Sequence, residues 1–325
     1  MPKVSVVIPV YGVEKYIERC VRSLFGQTLD SMEYVFIDDC SPDNSIVVMQ
    51  KVLEEFPHRK EQVKLIRHEV NQGVGAARNH GVAACTGDYI IHCDSDDWVD
   101  LDFYEKMYDK AIETDADVVC APFVTEFSES CHPSIRVYPK KADDVAGYIE
   151  KNVGLHLNSL WSKLYKREVS QVAYMTVPEN IGMGEDLLAN ILMLHECCKQ
   201  SFISDAFYHY WQSSTSITHN FSEKHFMNLQ GIVNILEEKY PCKYFNVRQH
   251  VKMTLFLATL RNLHKESCLL PLFDEAWFKT SFRERLAMIF SRNCTLKGRA
   301  ILTLTCISKT LTVRLLSYLY RKECR

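Results

Sequence analysis

The sequence contains no long hydrophobic run, because no apolar stretch reaches the ~18 residues that a membrane-spanning helix requires. The N-terminal segment has neither a basic start nor an apolar stretch followed by a small-residue cleavage site, so we expect no secretory signal peptide. No Cys-x-x-Cys pair occurs among the 13 cysteines. Their odd number and scattered positions favour reduced thiols in a cytosolic protein.

The sequence also lacks a large excess of positive or negative charge, since its formal net charge is −3 at pH 7. This value excludes a strongly basic nucleic-acid-binding protein, and we expect no nucleic-acid partner. Hydrophobic residues make up 47% and charged residues 24% of the 325 positions, which is ordinary globular composition. A chain of this length can bury a sizeable core, in one large domain or two modest ones.

The charges are unevenly distributed along the chain. Residues 292–325 contain eight Lys or Arg and one acid, a net +7, whereas the remainder carries −10. One helical arc of this tail is apolar and another is largely basic: Ile301, Leu304, Ile307, Leu311, Leu315 and Leu319 against Arg299, Lys309, Arg314 and Arg321. Such a helix either lies on an anionic membrane surface, which predicts a peripheral membrane location, or packs on the acidic body.

Strand and helix patterns alternate strictly over the first ~125 residues, because β-branched apolar runs are separated by apolar residues at helical spacing. This order indicates βαβ units and an α/β fold with a mostly parallel central sheet flanked by helices. Ligands of such sheets bind beyond the carboxyl ends of the strands. The predicted strands are residues 4–10, 34–37, 63–66, 89–93 and 118–123, and the predicted helices are 13–25, 46–56, 74–84 and 103–112.

The later part of the chain has a different pattern. Residues 128–146 are polar and contain proline, which predicts a loop over the site. A helix is predicted at 185–199, followed by a short strand pair at 202–211. Beyond residue 222 only helices are predicted, at 226–240, 247–264, 277–290 and 300–321.

The sharpest feature is the acidic quartet Asp94-Ser95-Asp96-Asp97, which follows the fourth predicted strand. Clustered carboxylates repel one another, so they need a cation or hydrogen-bond donors nearby. Carboxylate oxygens without Cys or His alongside suit Mg²⁺ or Mn²⁺, and such a metal commonly bridges to substrate phosphates. The alternative is a solvated acidic turn that caps a helix starting near Asp102.

Two further segments follow predicted strands. Asp38-Asp39 end the second strand, where a carboxylate can accept a hydrogen bond from a base or a ribose, although a turn that caps the next helix is the alternative. Residues 71–81 form a Gly-rich segment that matches a dinucleotide fingerprint only weakly, because Arg78 occupies the third glycine position. This segment is either a diphosphate site, with backbone N–H groups and Arg78 facing phosphate, or a turn in which Arg78 makes a structural ion pair.

Glu185-Asp186 follow Gly182 and Gly184 and open a predicted helix. Acids are ordinary in a first helical turn, but a carboxylate on a Gly-flexed loop can also act as a general base. His209 and His219 lie near the edge of the predicted site, and either can be structural. No Ser lies in a Gly-x-Ser-x-Gly elbow, and His195-Glu196 lacks the second His of a zinc-protease helix.

Taken together and in order, these segments resemble family 2 glycosyltransferases with the GT-A fold. The resemblance covers residues 1–217, with a nucleotide-sugar half at about 1–125 and an acceptor half at about 126–217, and leaves a helical C-terminal region at 218–325. It is carried by VSVVIPVY at 4–11, DDCSPD at 38–43, NQG at 71–73, ARNHG at 77–81, GDY at 87–89, DSDDW at 94–98, WSKLY at 161–165 and GED at 184–186.

The resemblance implies inverting transfer of a hexosyl or N-acetylhexosaminyl group from a nucleotide diphosphate sugar, expected to be a UDP-sugar, to an acceptor hydroxyl. It also implies that Asp186 is the general base, that Glu185 lies beside it, and that Asp96 holds Mn²⁺ or Mg²⁺. The residues expected to bind the nucleotide sugar are Pro9, Tyr11, Asp39, Asn71, Arg78, Asp94 and Ser95. The acceptor is expected to be a glycan or lipid-linked glycan in polysaccharide, capsule or lipopolysaccharide-type synthesis.

Three positions depart from the family pattern: Gly12 stands where Asn is usual, Cys40 where Gly is usual, and Trp211 where Arg is frequent. Two other hypotheses stay open. A nucleotidyltransferase on a similar sheet expects a Gly-rich, basic loop after the first strand, which this sequence lacks. A non-catalytic protein that binds a nucleotide sugar or glycan would not need the intact acidic sets at 94–97 and 185–186.

Overall fold

A computed structural model describes most of the chain. The chain divides into two compact units, Met1–Ser214 and Thr215–Arg325. The described residues are 1–127, 134–142, 144–152, 156–212, 221–241, 243–263, 268–291, 294–308 and 312. Among them, no helix combines the length and the apolar character needed to cross a membrane.

The first unit alternates strands and helices as predicted. Its strands are β1 Val4–Val10, β2 Met32–Asp38, β3 Val63–Arg67, β4 Tyr89–His92, β5 Trp98–Val99, β6 Val118–Cys120, β7 Phe123–Phe127, β8 Ile135–Val137, β9 Lys163–Lys166, β10 Gln200–Phe202 and β11 Tyr208–Gln212. Its α-helices are α1 Ile17–Phe25, α2 Ser45–Glu54, α3 Val74–Ala84, α4 Phe103–Thr114, α5 Val145–Asn152, α6 Arg167–Tyr174 and α7 Glu185–Glu196.

The strands of this unit form two sheets within the described residues. The larger has seven strands in the order β10-β6-β9-β4-β1-β2-β3, and its neighbours are parallel except on both sides of β9. The smaller has the order β5-β11-β7-β8. Because β1 lies between β2 and β4, with Val10 opposite Asp38 and Val7 opposite His92, the segments that follow β2 and β4 meet at one edge. The predicted α/β class with a mostly parallel sheet is confirmed.

Two predicted strand assignments are wrong. Residues 118–123 form β6 and β7 in different sheets, because Pro122 has no N–H for a ladder and the Ala121 N–H donates to the Ser162 carbonyl oxygen. Residues 202–211 are not a strand pair: β10 pairs with β6 in the larger sheet, and β11 pairs with β5 and β7 in the smaller. Both errors concern short segments whose partners are distant in sequence.

The predicted loop at 128–146 is wrong in part. Its described residues include strand β8, which pairs antiparallel with β7, and the start of α5 at Val145. Residues 128–133 and 143 lie outside the described residues.

The described part of the second unit is helical, as predicted. Its helices are α8 Glu223–Lys239, α9 Phe245–Asn262, α10 Leu269–Lys279, α11 Phe282–Ile289 and α12 Leu296–Ile307. The single helix predicted at 277–290 is wrong, because Ser281 ends that run and caps α11 in a reciprocal pair of hydrogen bonds with Glu284. Phe256, Phe273 and Trp277 lie in the core of this unit.

The helix predicted at 300–321 is also corrected. It begins earlier and ends before Ser308, whose backbone is extended. The residues of the predicted apolar arc do not share one environment, because Ile301 is buried in the core whereas Ile307 is exposed. Residues 309–311 and 313–325 of the predicted basic tail lie outside the described residues.

Candidate active site

The acidic quartet follows β4 at the edge where the parallel strands end. It is not a solvated turn, because Asp97 is fully buried and Ser95 nearly so. One Asp97 carboxylate oxygen accepts from the Tyr208 hydroxyl at 2.6 Å and the other from the Trp211 backbone N–H at 2.7 Å. Burial, and then the charges of Asp96 and Asp94, raise the pKa of Asp97 well above its ordinary value. Asp97 therefore fastens β11 to the quartet.

Asp94 and Asp96 are only partly exposed. Burial, and then the charge of Asp94, raise the pKa of the Asp96 carboxyl to about 6. Two close carboxylates with this mutual repulsion are the kind of donor set that a hard divalent cation stabilises. Within the described residues, however, no group of three or more His, Cys, Asp or Glu side chains forms a complete metal site. A cation at Asp96 would therefore need ligands from elsewhere, such as a diphosphate.

Arg78, on α3, connects the acidic turn to the start of α7. Its Nη2 donates to Asp94 Oδ1 at 2.8 Å, and its Nη1 donates to Glu185 Oε1. Burial opposes the charged guanidinium, but the carboxylates of Asp94 and Glu185 outweigh burial and raise the pKa of Arg78 above its ordinary value. The structural ion pair considered for this residue is thus present, and it involves two predicted site residues rather than one.

Glu185 and Asp186 form the first turn of α7. The preceding Gly184 has φ of 82°, a left-handed conformation that disfavours residues with a Cβ, so the glycine allows the abrupt entry into the helix. Burial, and then the adjacent charge of Glu185, raise the pKa of the Asp186 carboxyl to about 7. A carboxyl group with such a pKa exchanges a proton near neutral pH, as a general base must.

Asp39 lies just beyond β2 and is buried. Its two carboxylate oxygens accept from the backbone N–H groups of Gln72 and Gly73, each at 2.8 Å, and Oδ1 also contacts His68 Nδ1 at 2.7 Å. His68 Nε2 lies 2.8 Å from His80 Nδ1. Asp39 therefore connects the end of β2 to the segment that opens α3. The sequence reasoning missed both histidines, although His80 belongs to the ARNHG segment.

The other residues predicted to bind a nucleotide sugar lie along the same edge. Pro9 is half-buried in β1 opposite Ile37, Tyr11 and Asn71 are exposed, and Ser95 is buried. The contact of these residues with a nucleotide stays a prediction.

The departures at positions 12 and 40 lie in neighbouring segments, the first after β1 and the second after β2. Gly12 has φ of 68° and Cys40 has φ of 57°, so both are left-handed. The Gly12 N–H donates to the Ser41 hydroxyl at 2.9 Å. Cys40 thus keeps the left-handed conformation without a glycine, at a cost of about 1–2 kcal/mol.

The third departure, Trp211, belongs to an aromatic cluster that the sequence reasoning did not find. The Arg19 guanidinium lies 3.7 Å from the ring centroid of Trp98 and 4.7 Å from that of Trp211. The same guanidinium donates to the backbone carbonyl of Asp96 at 2.9 Å. Arg19 therefore reaches the acidic turn from α1, with its guanidinium against both indole rings and hydrogen-bonded to the backbone of the turn.

His209 completes this cluster. It stacks on Trp98 with ring centroids 4.9 Å apart, and its two nitrogens contact Glu126 and Asp100 at 2.9 and 3.0 Å. These partners give His209 a structural role in joining β11 to the residues that follow β5. His219 lies outside the described residues.

The WSKLY segment lies beneath the acidic turn. The Trp161 ring stacks on Tyr208, with centroids 4.2 Å apart, and Tyr208 in turn binds Asp97. Lys163 is fully buried, and its Nζ donates to the Ser159 carbonyl oxygen at 2.7 Å. Burial lowers the pKa of Lys163 to about 8. The segment therefore contacts the acidic turn through Tyr208.

Comparison with known sequences identifies the family. The sequence profile of Glycosyl transferase family 2 matches residues 5–181. The uncharacterized glycosyltransferase EpsJ of Bacillus subtilis is 29% identical over 226 residues, which are 67% of this chain and 63% of EpsJ. The putative glycosyltransferase EpsH of the same organism is 30% identical over 234 residues, 69% of this chain and 65% of EpsH. The matched regions thus span less than two thirds of these relatives.

Comparison with solved structures identifies the fold. Residues 1–349 of S. aureus TarS superpose with a TM-score of 0.65 at 19% sequence identity, covering 99% of this chain and 92% of that one. The mannosyltransferase PcManGT of Pyrobaculum calidifontis, in complex with GDP-Man and Mn²⁺, gives a TM-score of 0.53 at 15% identity, covering 98% of this chain and 87% of that one. These likenesses confirm the predicted GT-A fold. Because the family profile covers more than half of the chain, the protein belongs to glycosyl transferase family 2.

Proposed function

We propose that this protein is an inverting glycosyltransferase that moves a hexosyl or N-acetylhexosaminyl group from a UDP-sugar to an acceptor hydroxyl. One observation carries the proposal: Arg78 bridges Asp94, at the end of β4, and Glu185, at the start of α7. This bridge holds Asp186, whose pKa is raised to about 7 by burial and the charge of Glu185, beside the acidic turn. A donor site and a general base are thereby joined through one guanidinium.

The reaction uses Asp186 as the base. Its carboxylate takes the proton of the acceptor hydroxyl, and the hydroxyl oxygen forms a bond to the anomeric carbon of the donor. The bond between that carbon and the diphosphate oxygen breaks on the opposite face, so the configuration inverts. The products are the glycoside, the nucleoside diphosphate and a proton on Asp186. Glu185, fixed by Arg78, orients the turn that carries Asp186.

The nucleotide sugar is proposed to lie along the edge formed by the ends of β1, β2 and β4. Pro9 and Tyr11 would line the base pocket, with Asp39 contacting the base. Asn71 and Arg78 would lie on the diphosphate side, with Asp94 and Ser95 near the ribose. Arg78 has Asp94 and Glu185 as hydrogen-bond partners, so we assign it a positioning role in addition.

A divalent metal, Mn²⁺ or Mg²⁺, is proposed to bind Asp96. The raised pKa of Asp96, caused by burial and by the Asp94 charge, supports this assignment because a cation would relieve both effects. When bound, such a cation neutralises charge on a leaving diphosphate.

The choice of donor and acceptor class is supported by named relatives. TarS has been solved in complex with UDP and with UDP-GlcNAc, which favours a UDP-sugar over the GDP-Man bound by PcManGT. A poly(ribitol-phosphate) beta-glucosyltransferase of Bacillus spizizenii is 27% identical over 211 residues, 64% of this chain and 32% of that protein. We therefore propose a glycan or polyol-phosphate acceptor in cell-surface polymer synthesis.

The proposal is tested by measuring thermal stability and donor turnover with UDP-GlcNAc, UDP-glucose and GDP-mannose, with and without Mn²⁺. A cognate donor at a hundredfold excess over its Kd should stabilise the protein by about 2.7 kcal/mol. Asp96→Asn should lose the Mn²⁺-dependent part, whereas Asp102→Asn, at the exposed N-terminus of α4, should keep it. Donor binding without hydrolysis or transfer to any acceptor would favour a non-catalytic binding protein, and no binding of any donor would overturn the proposal.

A further inference from the structure

The outward face of α11 is apolar, which is unusual for a helix in water. Phe282, Leu286 and Phe290 are 71%, 38% and 72% exposed, and they recur every four residues along one face. Met288 and Ile289 supply the buried side. Single exposed apolar residues are ordinary, but three large ones on one face mark an interaction surface.

The exposed side of α12 repeats this pattern. Leu296, Ala300, Thr303 and Ile307 are all exposed, and their spacing of four, three and four residues gives a single stripe. Leu296 and Ile307, at its two ends, are 83% and 76% exposed. α11 and α12 pack against each other, so the two stripes belong to neighbouring helices. We call these two stripes together the α11–α12 face.

Nearly all the charged side chains on and beside α11 and α12 are positive. Residues 276–308 contain six Lys or Arg and a single acid, Glu284. Glu284 is turned toward the protein, since its carboxylate accepts from Lys252 at 2.7 Å and from the Ser281 hydroxyl at 2.7 Å. Arg283 and Lys297 are exposed beside Phe282 and Leu296. The described residues of α11 and α12 therefore present apolar side chains and flanking cations without an exposed acid, and the exposed Glu275 of α10 pairs with Lys279 at 2.7 Å.

We propose that the α11–α12 face binds the surface of an anionic phospholipid bilayer. Its aromatic and aliphatic side chains would enter the headgroup region while the flanking cations contact lipid phosphates. The basic flank, and the absence of an exposed acid from the described residues of α11 and α12, match an anionic lipid surface. This contact differs from the arc predicted in the tail, which includes the buried Ile301. It is independent of the sugar transferred and of the acceptor.

The test uses the full chain and vesicles of phosphatidylcholine, either alone or mixed with phosphatidylglycerol. Flotation should recover the protein with the phosphatidylglycerol vesicles, and binding should weaken at high salt because the cations contribute. Phe282→Ser/Phe290→Ser should reduce the partition coefficient by at least about tenfold, because two inserted rings are lost. The matched control is Val47→Ser/Ile112→Ser, which replaces two exposed apolar residues of the first unit and should leave binding unchanged.

Three further variants distinguish lipid binding by the α11–α12 face from binding by the basic tail and from dimerisation. Arg283→Gln/Lys297→Gln should remove the preference for phosphatidylglycerol, whereas Lys309→Gln/Arg314→Gln, in the tail, should keep it. Phe282→Trp keeps an aromatic ring, and its emission should shift to the blue when phosphatidylglycerol vesicles are added. Failure of the native chain to float overturns the proposal. So does binding lost only in the tail variant, or a concentration-dependent dimer that the Phe282→Ser/Phe290→Ser change disrupts without any effect on flotation.

Discussion

The two flanks of the acidic turn each bring one arginine to it, but they use that arginine differently. On the flank of α3 and α7, Arg78 lies between the carboxylates of Asp94 and Glu185. On the flank of α1 and β11, Arg19 lies against the indole rings of Trp98 and Trp211 and donates to a backbone carbonyl. We call these the charged flank and the aromatic flank.

We therefore expect the two flanks to have different roles, one in catalysis and one in holding the structure of the turn. On the charged flank, protonation of any one carboxyl changes the balance of a buried network, and the pKa of Asp186 is raised to about 7 by burial and by Glu185. On the aromatic flank, the contacts of Arg19 are to rings and a carbonyl, which do not titrate. We therefore expect the charged flank to govern catalysis and its pH dependence, and the aromatic flank to fix the backbone of the turn.

The largest effect on the charged flank is expected from Asp186→Asn. Removing the proposed general base should lower the transfer rate about 10²–10⁴-fold, while donor affinity should change little because the proposed role of Asp186 is toward the acceptor. The measurement is steady-state transfer together with calorimetric binding of the donor. Glu196→Gln, at the exposed C-terminal end of the same helix, is the matched control and should keep full activity. Full activity in the Asp186→Asn protein would remove the assignment of the base.

The next effect concerns stability. Arg78→Met leaves Glu185 buried without its cation, which should lower the free energy of unfolding by about 3–5 kcal/mol in denaturant titration. Adding Glu185→Met to this variant should restore much of the loss, because replacing a whole buried pair by apolar residues is often nearly neutral. Arg22→Met, which breaks only the exposed ion pairs with Glu18 and Glu55, should cost about 1 kcal/mol or less. Equal losses at Arg78 and Arg22 would contradict the charged-flank description.

The pH dependence should follow Asp186. Because its deprotonated form is the base and its pKa is about 7, kcat/KM should rise with pH through that region and level off above it. Below the pKa, the rate should fall about tenfold for each pH unit. The profile is measured at saturating donor and metal, where the proposed cation would keep Asp96 deprotonated. The residual activity of Asp186→Asn should lack this limb, and a flat native profile between pH 5.5 and 8 would contradict the prediction.

Most of the fold follows from local sequence patterns. The pattern at residues 74–84 predicts α3 to the residue, and the apolar run at 4–10 predicts β1, because both elements are long and strongly patterned. The strand predictions for residues 118–123 and 202–211 were wrong because each segment contributes strands to two sheets. Which sheet a three-residue strand enters depends on partners far along the chain, and no local pattern records them.

The site was predictable in outline for a similar reason. Residues that follow parallel strands meet at one sheet edge, so Asp39, Asp94 and Asp96 were expected to lie near one another. The sequence could not indicate which acids the protein itself uses. Asp97 is occupied by Tyr208 and Trp211, whose positions in β11 are more than a hundred residues away. Arg19 was missed because it is a half-buried residue of an ordinary amphipathic helix, and only tertiary packing brings it to the turn.

The smallest effect is expected on the aromatic flank. Arg19→Leu removes a cation stacked on two rings, worth about 1 kcal/mol at a partly exposed site, and should lower transfer activity less than about tenfold. Arg19→Lys keeps the charge but loses the planar stacking, so it should fall between Arg19→Leu and the native chain. Both changes should alter the fluorescence of Trp98 and Trp211, whereas Arg22→Leu in the same helix should not. Among the described residues Arg19 donates to no carboxylate and interacts with Asp97 and Asp96 only through their charges, so these variants should retain the rise of the native pH profile that belongs to Asp186. A shifted profile in Arg19→Leu would show that the two flanks act as one network.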